Sequence, residues 1–202
     1  MPDDIAAGAA GSLACALLDD PFYRSITVDC GDDAAARVAC LTRYFRLSIE
    51  EGYQIGHVET VGDDGAAIWT LPGDEAILAA ARTRKLARFA DLLGTEGFSN
   101  YRRIVRSMEA NLPDAIDPSA WYLSILGVAP QRRGGGLGTR LLMPSLAEAD
   151  ATRVPCFLET FNPSSLPLYE RLGFQPSRSI VEPLTGAPYW VMVRAPQPRQ
   201  TA

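Results

Sequence analysis

A glycine-rich segment in the second half of the chain has the composition of a phosphate-binding loop. It follows an apolar run, reads VAPQRRGGGLG over residues 128–138 and is followed by Arg140. Glycines let an anion approach the backbone closely, and the unpaired amides at the start of a helix point outward. Arg132, Arg133 and Arg140 add positive charge to a chain whose formal net charge is −5. The segment therefore predicts a strand, an anion-binding loop and a helix, in that order.

Three interpretations of this segment compete. Adjacent glycines can form a structural turn that binds nothing. A dinucleotide site is the second, because Glu159 lies 21 residues beyond Gly138, near the spacing of a ribose-binding acid. However, the Gly-x-Gly-x-x-Gly pattern fails, since Gly134-x-Gly136 is followed by Thr139, and the lysine of a nucleotide P-loop is missing. Coenzyme A is the third interpretation.

A second segment, LETFNPSSLPLYERLGF at residues 158–174, combines a strand end, a turn and a short helix. Asn162 precedes Tyr169 by seven positions, and Tyr169 begins a Tyr-x-x-x-Gly-Phe sequence that ends with Gly173 and Phe174. Pro167 falls in the first helical turn, where its missing N–H costs nothing, and the glycine suits a C-terminal cap. The pattern places a tyrosine on a short helix directly after a strand.

Together the two segments resemble the GNAT superfamily of acetyl-CoA-dependent N-acetyltransferases. The R/Q-x-x-G-x-G/A signature of that superfamily is matched at Arg133, Gly136 and Gly138, and the Asn–Tyr spacing matches its other hallmark. The resemblance implies an α+β (mixed α/β) fold of the acyl-CoA N-acyltransferase type. Its central sheet is mostly antiparallel and flanked by helices.

Weaker similarity extends into the N-terminal half of the chain. Residues 19–22, 63–67 and 120–123 resemble the puromycin N-acetyltransferase branch, which does not establish puromycin as the substrate. Relatives begin with a strand, whereas this sequence begins at Pro2-Asp3-Asp4 directly at a helix, so that either the strand is absent or the start is assigned late. A missing strand would expose the hydrogen-bonding groups of the next one, which a partner subunit could cover. A monomer or a homodimer is therefore expected.

The resemblance also implies roles for individual residues in acetyl transfer to an amine, without a metal ion. Tyr169 is expected to donate a proton to the leaving thiolate, although packing between helix and sheet is an alternative. Glu159 is a candidate for the general base or for binding the charge of the amine, unless it only satisfies a buried amide. Asn162 would bond the pantetheine arm or close a local turn. His57, on a strand, is expected to be structural.

Two sets of binding residues complete this expectation. The acetyl-CoA site should comprise a strand end, the glycine-rich loop and two residues of the second segment: Leu126, Gly127, Val128, Arg132, Arg133, Gly134, Gly135, Gly136, Leu137, Gly138, Thr139, Asn162 and Tyr169. The strand edge would hold the pantetheine arm as a peptide is held in β-augmentation. The acceptor amine is expected at Asp20, Phe22, Tyr23 and Glu159, although an exposed loop explains the first three equally well.

Composition narrows the class of protein further. Hydrophobic residues at 47% and charged residues at 21% indicate a globular chain rather than a disordered one. The acidic balance argues against a nucleic-acid partner and mildly favours amines, although acidity for solubility alone is an alternative. No apolar run is long enough to cross a membrane and the acidic start opposes a signal peptide, so a cytoplasmic protein without a membrane partner is expected. Four cysteines without a C-x-x-C pair and one histidine predict free thiols and no zinc site.

The pattern of apolar and turn residues predicts one domain over residues 1–195 and a loose tail over 196–202. Residues 3–113 should form the acceptor side, and residues 119–195 the acetyl-CoA-binding half. The expected helices are 4–18, 33–51, 74–93, 99–111, 137–152 and 165–172, and the expected strands are 53–61, 66–71, 121–128, 154–160, 173–181 and 188–194. Pro144 should bend the fifth of these helices.

The sequence therefore predicts an N-acetyltransferase that moves an acetyl group from acetyl-CoA to a primary amine of a small molecule, such as an antibiotic or a metabolite. Acetylation of a protein or peptide amine is an alternative enzyme function. A non-catalytic acyl-CoA sensor is an alternative of a different class, against which the intact Tyr169 and glycine signature argue.

Overall fold

A computed structural model describes residues 3–114 and 116–198 of the chain. Within these ranges the helices are α1 (Asp3–Leu17), α2 (Pro21–Ile26), α3 (Ala34–Ile55), α4 (Glu75–Ala110), α5 (Leu137–Thr152) and α6 (Leu166–Arg171). The strands are β1 (Gly56–Thr60), β2 (Gly65–Thr70), β3 (Trp121–Val128), β4 (Cys156–Thr160), β5 (Gln175–Val181) and β6 (Pro188–Arg194). Single 3₁₀ turns lie at Val28–Cys30, Pro130–Arg132 and Pro163–Ser165.

The six strands form one sheet in the order β1-β2-β3-β4-β6-β5. Neighbouring strands are antiparallel except β3 and β4, which run parallel because α5 returns the chain to the starting end of the sheet between them. α1 and α3 pack on one face of the sheet and α5 packs on the other. This arrangement confirms the α+β architecture expected from the sequence.

Alternating residues of β2 divide the core between the two faces of the sheet. Ala66 and Ile68 belong to the cluster beneath α1, α3 and α4, whereas Ala67 and Trp69 belong to the cluster beneath α5. All four side chains are at most 2% exposed, so this strand is covered on both sides. A central strand that is buried on both faces holds its neighbour β3 rigidly, and β3 carries one wall of the site described below.

A bulge in β3 separates the part that pairs with β4 from the part that does not. Trp69 pairs with Leu123 and Ile68 pairs with Ile125, so Ser124 is the extra residue, and its hydroxyl donates a hydrogen bond of 3.0 Å to the carbonyl oxygen of Ile68. Pairing between β3 and β4 ends at Leu123 and Leu158. We call the opening between residues 124–128 of β3 and the end of β4 the wedge.

The same bulge reverses which face of the sheet the side chains of β3 occupy. Leu123 lies in the cluster under α5, whereas Ile125, two residues later, lies in the cluster under α1 and α3. Gly127 continues on that second face, where an added Cβ would overlap the side chain of Leu13 on α1. α1 can therefore pack directly against the end of β3, which forms the edge of the wedge.

Helix α4 bends sharply at Gly94, whose φ of 73° and ψ of −176° are not helical. The carboxylate of Asp29 accepts hydrogen bonds from the backbone N–H groups of Glu96 at 3.0 Å and Gly97 at 3.3 Å. These bonds satisfy amides at the start of the second half of the helix, as an N-cap does. The two helices expected at 74–93 and 99–111 are thus the two halves of one bent element.

Several boundaries differ from expectation. α2 was not predicted, because Asp19-Asp20-Pro21 was interpreted only as the end of α1. α3 continues to Ile55, through residues that the sequence assigned to a strand beginning at 53. α5 runs from Leu137 to Thr152 without interruption and contains Pro144, so the bend expected at that proline stays a prediction. In the expected tail, the backbone N–H of Gln197 donates to Asp150, and residues 199–202 lie outside the described part.

Candidate acetyl-transfer site

A cavity of about 830 Å³ opens where the wedge meets the helices α1 to α4. Its sheet side is formed by Tyr122 and Ser124 of β3 and Glu159 of β4, and α6 contributes Tyr169. Its helical side includes Asp20 and Phe22, which lie at the start of α2. Cavities of this size hold small-molecule ligands in other proteins. The structure thus brings together acidic and aromatic residues that are about 150 positions apart in the sequence.

Glu159 is a half-buried acid with one buried oxygen that has no partner among the described residues. The hydroxyl of Tyr122 donates to Oε2 at 3.3 Å, whereas Oε1 is buried and has no hydrogen-bond partner among the described residues. Burial raises the pKa of this carboxyl to about 7, the bond from Tyr122 lowers it, and the charge of Glu109 raises it further. A carboxyl group that titrates near neutral pH can take up and release a proton during turnover.

Tyr169 is held in the cavity wall by a tightly closed short helix. The chain turns at Gly173, which has a φ of 89°, and the N–H of Phe174 returns to the carbonyl oxygen of Tyr169 at 3.0 Å. The tyrosine is 6% exposed, and its hydroxyl makes no hydrogen bond to the described residues. Burial and, after it, the charge of Asp20 raise the pKa of this phenol. Tyr169 therefore stays protonated and can act as a donor.

Asp20 caps α2 and faces the cavity at the same time. Its Oδ1 accepts a hydrogen bond of 2.9 Å from the N–H of Phe22, which is the arrangement of an N-cap. Burial raises the pKa of this carboxyl to about 6, against the lowering effect of hydrogen bonds from the backbone of Phe22 and Tyr23. The alternative that Asp20, Phe22 and Tyr23 form an exposed loop is wrong. All three line the cavity, and Tyr23 is 8% exposed.

The aromatic residues of the helical wall form one connected cluster. Phe22 packs edge-on against Tyr23 at 5.1 Å and against Tyr101 at 6.0 Å between ring centroids. Tyr23 in turn packs against Tyr44, whose ring stacks on Phe89 at 4.3 Å. Each aromatic pair adds about 0.5–1.5 kcal/mol beyond the burial of area, so this wall is rigid. Tyr122 stacks on Phe157 at 4.7 Å on the opposite side of the cavity.

The glycine-rich loop presents free backbone amides to solvent. Gly134 and Gly136 adopt φ angles of 81° and 74°, and Gly136 is the N-cap of α5 without a side-chain capping bond. The backbone N–H groups of residues 134–139 make no hydrogen bond within the described part of the chain. A Cβ placed on Gly136 would meet open space, whereas one on Gly138 would press on Leu168. This open and amide-lined surface suits a pyrophosphate group.

Two arginines of the loop have partners in the protein. The Nε of Arg132 donates to Asp64 of the β1–β2 turn at 3.0 Å, and Arg133 donates to the carbonyl oxygen of Ala16 at the end of α1 at 2.9 Å. Both side chains therefore fasten the loop to neighbouring elements. Their positive charge still lies beside the free amides, and Arg140 adds a third exposed cation on the first turn of α5.

The remaining site candidates have the following surroundings. Leu126, Gly127 and Val128 pair with β2 on one side and border the wedge on the other. Leu137 is buried beneath the loop, and Thr139 is half-buried on the first turn of α5. Asn162 closes a local turn, since its Oδ1 accepts from the N–H of Ser164 at 3.0 Å. Its side-chain nitrogen has no partner among the described residues and is exposed.

His57 lies outside the cavity, on the edge strand β1. Its ring packs edge-on against Trp121 at 5.0 Å, and its Nδ1 lies 3.9 Å from a carboxylate oxygen of Glu148. These contacts support the structural role expected for this histidine. Sequence reasoning missed Tyr122 and Ser124, although both occupy half-buried positions that alternate with buried ones along β3.

Neither a metal centre nor a membrane span is found in the described ranges. No group of three or more histidine, cysteine, aspartate or glutamate side chains could hold a metal ion there. None of the described helices is both long and apolar enough to cross a bilayer.

Comparison with known proteins agrees with this geometry. The sequence model of the Acetyltransferase (GNAT) family matches residues 43–174 of the 202. An uncharacterized N-acetyltransferase of Schizosaccharomyces pombe is 26% identical over 206 residues, which cover 96% of this chain and 81% of the yeast protein.

Two solved structures share the fold over nearly the whole chain. A protein of Corynebacterium glutamicum, described as histone acetyltransferase HPA2 and related acetyltransferase, has a TM-score of 0.67 and 23% identity over 99% of this chain and 96% of its own. Arylalkylamine N-acetyltransferase 2 of Aedes aegypti has a TM-score of 0.62 and 15% identity over 98% and 97%. The family match, the open strand pair and the amide-lined loop lead to one conclusion, that this chain is an N-acetyltransferase of the GNAT family.

Proposed function

We propose that this enzyme transfers the acetyl group of acetyl-CoA to a primary amine of a small molecule. The observation that carries the proposal is that Glu159, whose Oε1 has no partner among the described residues, and Tyr169, whose side chain is 6% exposed, border the same cavity at the mouth of the wedge. One group is suited to accept a proton and the other to donate one. A site for acyl-CoA binding alone would need neither.

The residues present fit acetyl-CoA. The free amides of residues 134–139 and the open space above Gly136 suit its pyrophosphate, and the edge of β3 at Leu126 and Val128 offers backbone groups for the pantetheine arm. Asn162 has an uncommitted side-chain nitrogen for the same arm. When bound, this co-substrate supplies a thioester whose acetyl carbon is open to attack.

Glu159 and Tyr169 divide the proton transfers between them. The substrate arrives as an ammonium ion, and Glu159 takes one proton from it, directly or through water, so that the neutral nitrogen can attack. The new N–C bond forms as the C–S bond breaks, and Tyr169 donates its hydroxyl proton to the leaving sulfur. The nitrogen loses its second proton as the amide forms, and Tyr169 is reprotonated. One proton is released to solvent in each turnover.

A small molecule is favoured over a protein because the reactive groups lie inside a cavity rather than on an open groove. Asp20 and Glu159 provide negative charge for an ammonium group, and the aromatic walls provide apolar contact. The puromycin branch indicated by the sequence remains a proposal at this point, and puromycin belongs in the panel of test amines.

Two measurements test the proposal. Calorimetric titration of the purified protein with acetyl-CoA reports binding, and thiol release in the presence of an amine panel reports transfer. Binding together with amine-dependent release supports the enzyme function and ranks the acceptors. Tight binding without release from any amine would instead favour an acyl-CoA sensor. Absence of binding would refute the cofactor site.

A further inference from the structure

We propose that the acceptor of this enzyme carries an anionic group in addition to its amine, and that Arg82, Arg102 and Arg106 bind that anion at the outer end of the cavity. We call these three residues the arginine rim. The inference rests on the proposed function, because it assigns the second end of a molecule whose amine reacts near Glu159.

The arginine rim consists of cations without a partner among residues 3–114 and 116–198. None of the three makes an ion pair or a side-chain hydrogen bond with the residues that the structure describes. They are exposed and line the cavity. These three guanidinium groups bring positive charge to one cavity of a protein whose net charge is −5.

Neighbouring cations on the same helix, in contrast, have partners in the protein. Lys85 forms a close ion pair with Glu51, and Arg88 pairs with Glu50 at 2.6 Å. Arg84 donates to the side chain of Gln54 at 2.7 Å. Helix α3 thus provides partners for the other three cations on the first half of α4. Arg82, which lines the cavity, has no such partner among the described residues.

Both halves of the bent helix α4 contribute residues to the cavity. Arg82 lies before Gly94, and Arg102 and Arg106 lie after it, four residues apart and therefore on one helical face. Arg102 and Arg106 also border a shallow groove of about 300 Å³ on the outside of α4. They consequently form the boundary between the cavity and bulk solvent, where a planar guanidinium can bind a carboxylate or phosphate with two hydrogen bonds.

Charges of both signs line the cavity. Asp20 and Glu159 line it together with Tyr169, whose pKa is raised first by burial and then by the charge of Asp20. Of the other acids in the lining, Glu51 is paired with Lys85, and the charge of the exposed Glu109 raises the pKa of Glu159. An anion at the arginine rim and an ammonium group at Asp20 and Glu159 would each meet the complementary sign.

Apolar side chains also line the cavity. Leu86 and Val105 of α4 and the ring of Tyr101 lie beside the rim residues, and Phe22 continues this surface inward. The expected acceptor is therefore a primary amine joined by an apolar spacer to a carboxylate or a phosphate. An amine without an anionic group, puromycin included, should be a poor acceptor.

Matched ligand pairs test this assignment. Glycyl-phenylalanine is compared with its C-terminal amide, and 3-aminopropyl phosphate with 3-aminopropanol, so that each pair differs in the anionic group. Calorimetry in the presence of CoA measures binding, and thiol release from acetyl-CoA measures transfer. We expect at least one anionic ligand to bind about tenfold more tightly than its neutral partner, since charge-assisted bonds of this kind contribute about one decade of affinity. The ligand pair whose two members differ in affinity shows whether the arginine rim prefers a carboxylate or a phosphate.

The double variant Arg102→Gln/Arg106→Gln should abolish this preference and leave binding of the neutral ligand unchanged. It should raise KM for the anionic acceptor and leave kcat within about twofold, because the rim does not touch the reacting atoms. Arg88→Gln, at an exposed arginine of the same helix outside the cavity, is the matched control and should retain the preference.

The two readouts separate the inference from the proposed function. Equal binding of both members of each pair, or a preference that survives in the double variant, would overturn the arginine rim. Thiol release with equal kcat/KM for charged and neutral amines would do the same and leave acetyl transfer intact. A binding preference without thiol release would support the anion site and refute the transfer reaction.

Discussion

Replacing Glu159 by glutamine tests in a single variant whether this residue is the general base and how much its charge costs in stability. Glutamine keeps the shape of the side chain and can still accept the hydrogen bond that Tyr122 donates to Oε2 at 3.3 Å. It cannot take a proton from the amine. We expect kcat/KM to fall by about 10²–10⁴, the usual contribution of a general base. Binding of acetyl-CoA should not change, because this residue lies at the acceptor end of the site.

The cost of this buried acid follows from its pKa. Burial is the main cause that raises the pKa from 4.5 to about 7, and a difference of this size corresponds to about 3 kcal/mol. The folded protein holds the proton more tightly than the unfolded chain does. Below pH 4.5 both states are protonated and stability is unaffected, whereas stability is lost as the pH rises from 4.5 through 7, because the unfolded chain ionises in that interval more readily than the folded state.

Thermal unfolding should therefore show an effect opposite to that on activity. At pH 8 the Glu159→Gln variant should melt at a higher temperature than the wild type, by roughly 6–12 °C for a chain of this size. The difference should shrink toward pH 5, where the wild-type carboxyl is protonated. In the wild type, kcat/KM should rise about tenfold per pH unit below pH 7 and then level off, and the variant should lack this inflection.

Asp20→Asn is the control, because asparagine can still cap α2 and the pKa of this acid is raised only to about 6, mainly by burial. It should leave the inflection near pH 7 in place. A melting difference that stays constant between pH 5 and pH 8 would contradict the buried charge. An inflection near pH 7 that persists in Glu159→Gln would assign the base to another group.

Three further variants probe the other parts of the site. Tyr169→Phe should lower kcat by about 10²-fold or more and leave acetyl-CoA affinity nearly intact, since only the proton donor is lost; an unchanged kcat in the thiol-release assay would remove this residue from the acid role. Gly136→Val should abolish acetyl-CoA binding in calorimetry, because its side chain would fill the open space above the loop. Its circular dichroism should stay native, with about 1–2 kcal/mol lost to the φ of 74°. Normal affinity in that variant would undercut the loop assignment. Gly94→Ala should destabilise the fold by at least about 1–2 kcal/mol in denaturant unfolding, because the bend requires a φ of 73° and the added methyl would overlap Asp29; a neutral effect would show that the bend is not needed.

The elements that carry strong local signals were predicted closely. The bounds of β3, α5 and β6 agree with the structure, since dense β-formers, the glycine loop and the terminal apolar run each leave little choice. The α+β fold was also predicted, both from the order of the expected strands and helices and from the family resemblance. Within the site, Tyr169 and Glu159 line one cavity, and the roles that the sequence assigned to them stay predictions.

The parts that sequence reasoning missed depend on tertiary contacts. The six residues of α2 are too few to show a period, and their aromatic side chains are stabilised by Tyr44 and Tyr101 from distant helices. The bulge at Ser124 is hidden because buried and half-buried positions continue to alternate along β3 while the face reverses. The arginine rim could not be separated from ordinary exposed cations, because only the fold shows which of them have partners.

Three local departures from the rules of a regular sheet meet at the wedge. Ser124 inserts a bulge, Gly127 gives up a side chain so that α1 can approach, and Glu159 places an acid in a buried position. Each costs stability by itself, since a bulge disrupts the ladder, glycine weakens a strand and burial penalises charge. Their common location has a functional explanation: the bulge parts β3 from β4, the glycine lets a helix close the opening, and the acid faces the space so formed. Proteins tolerate such departures where function requires them, and the position of all three agrees with the site assigned here.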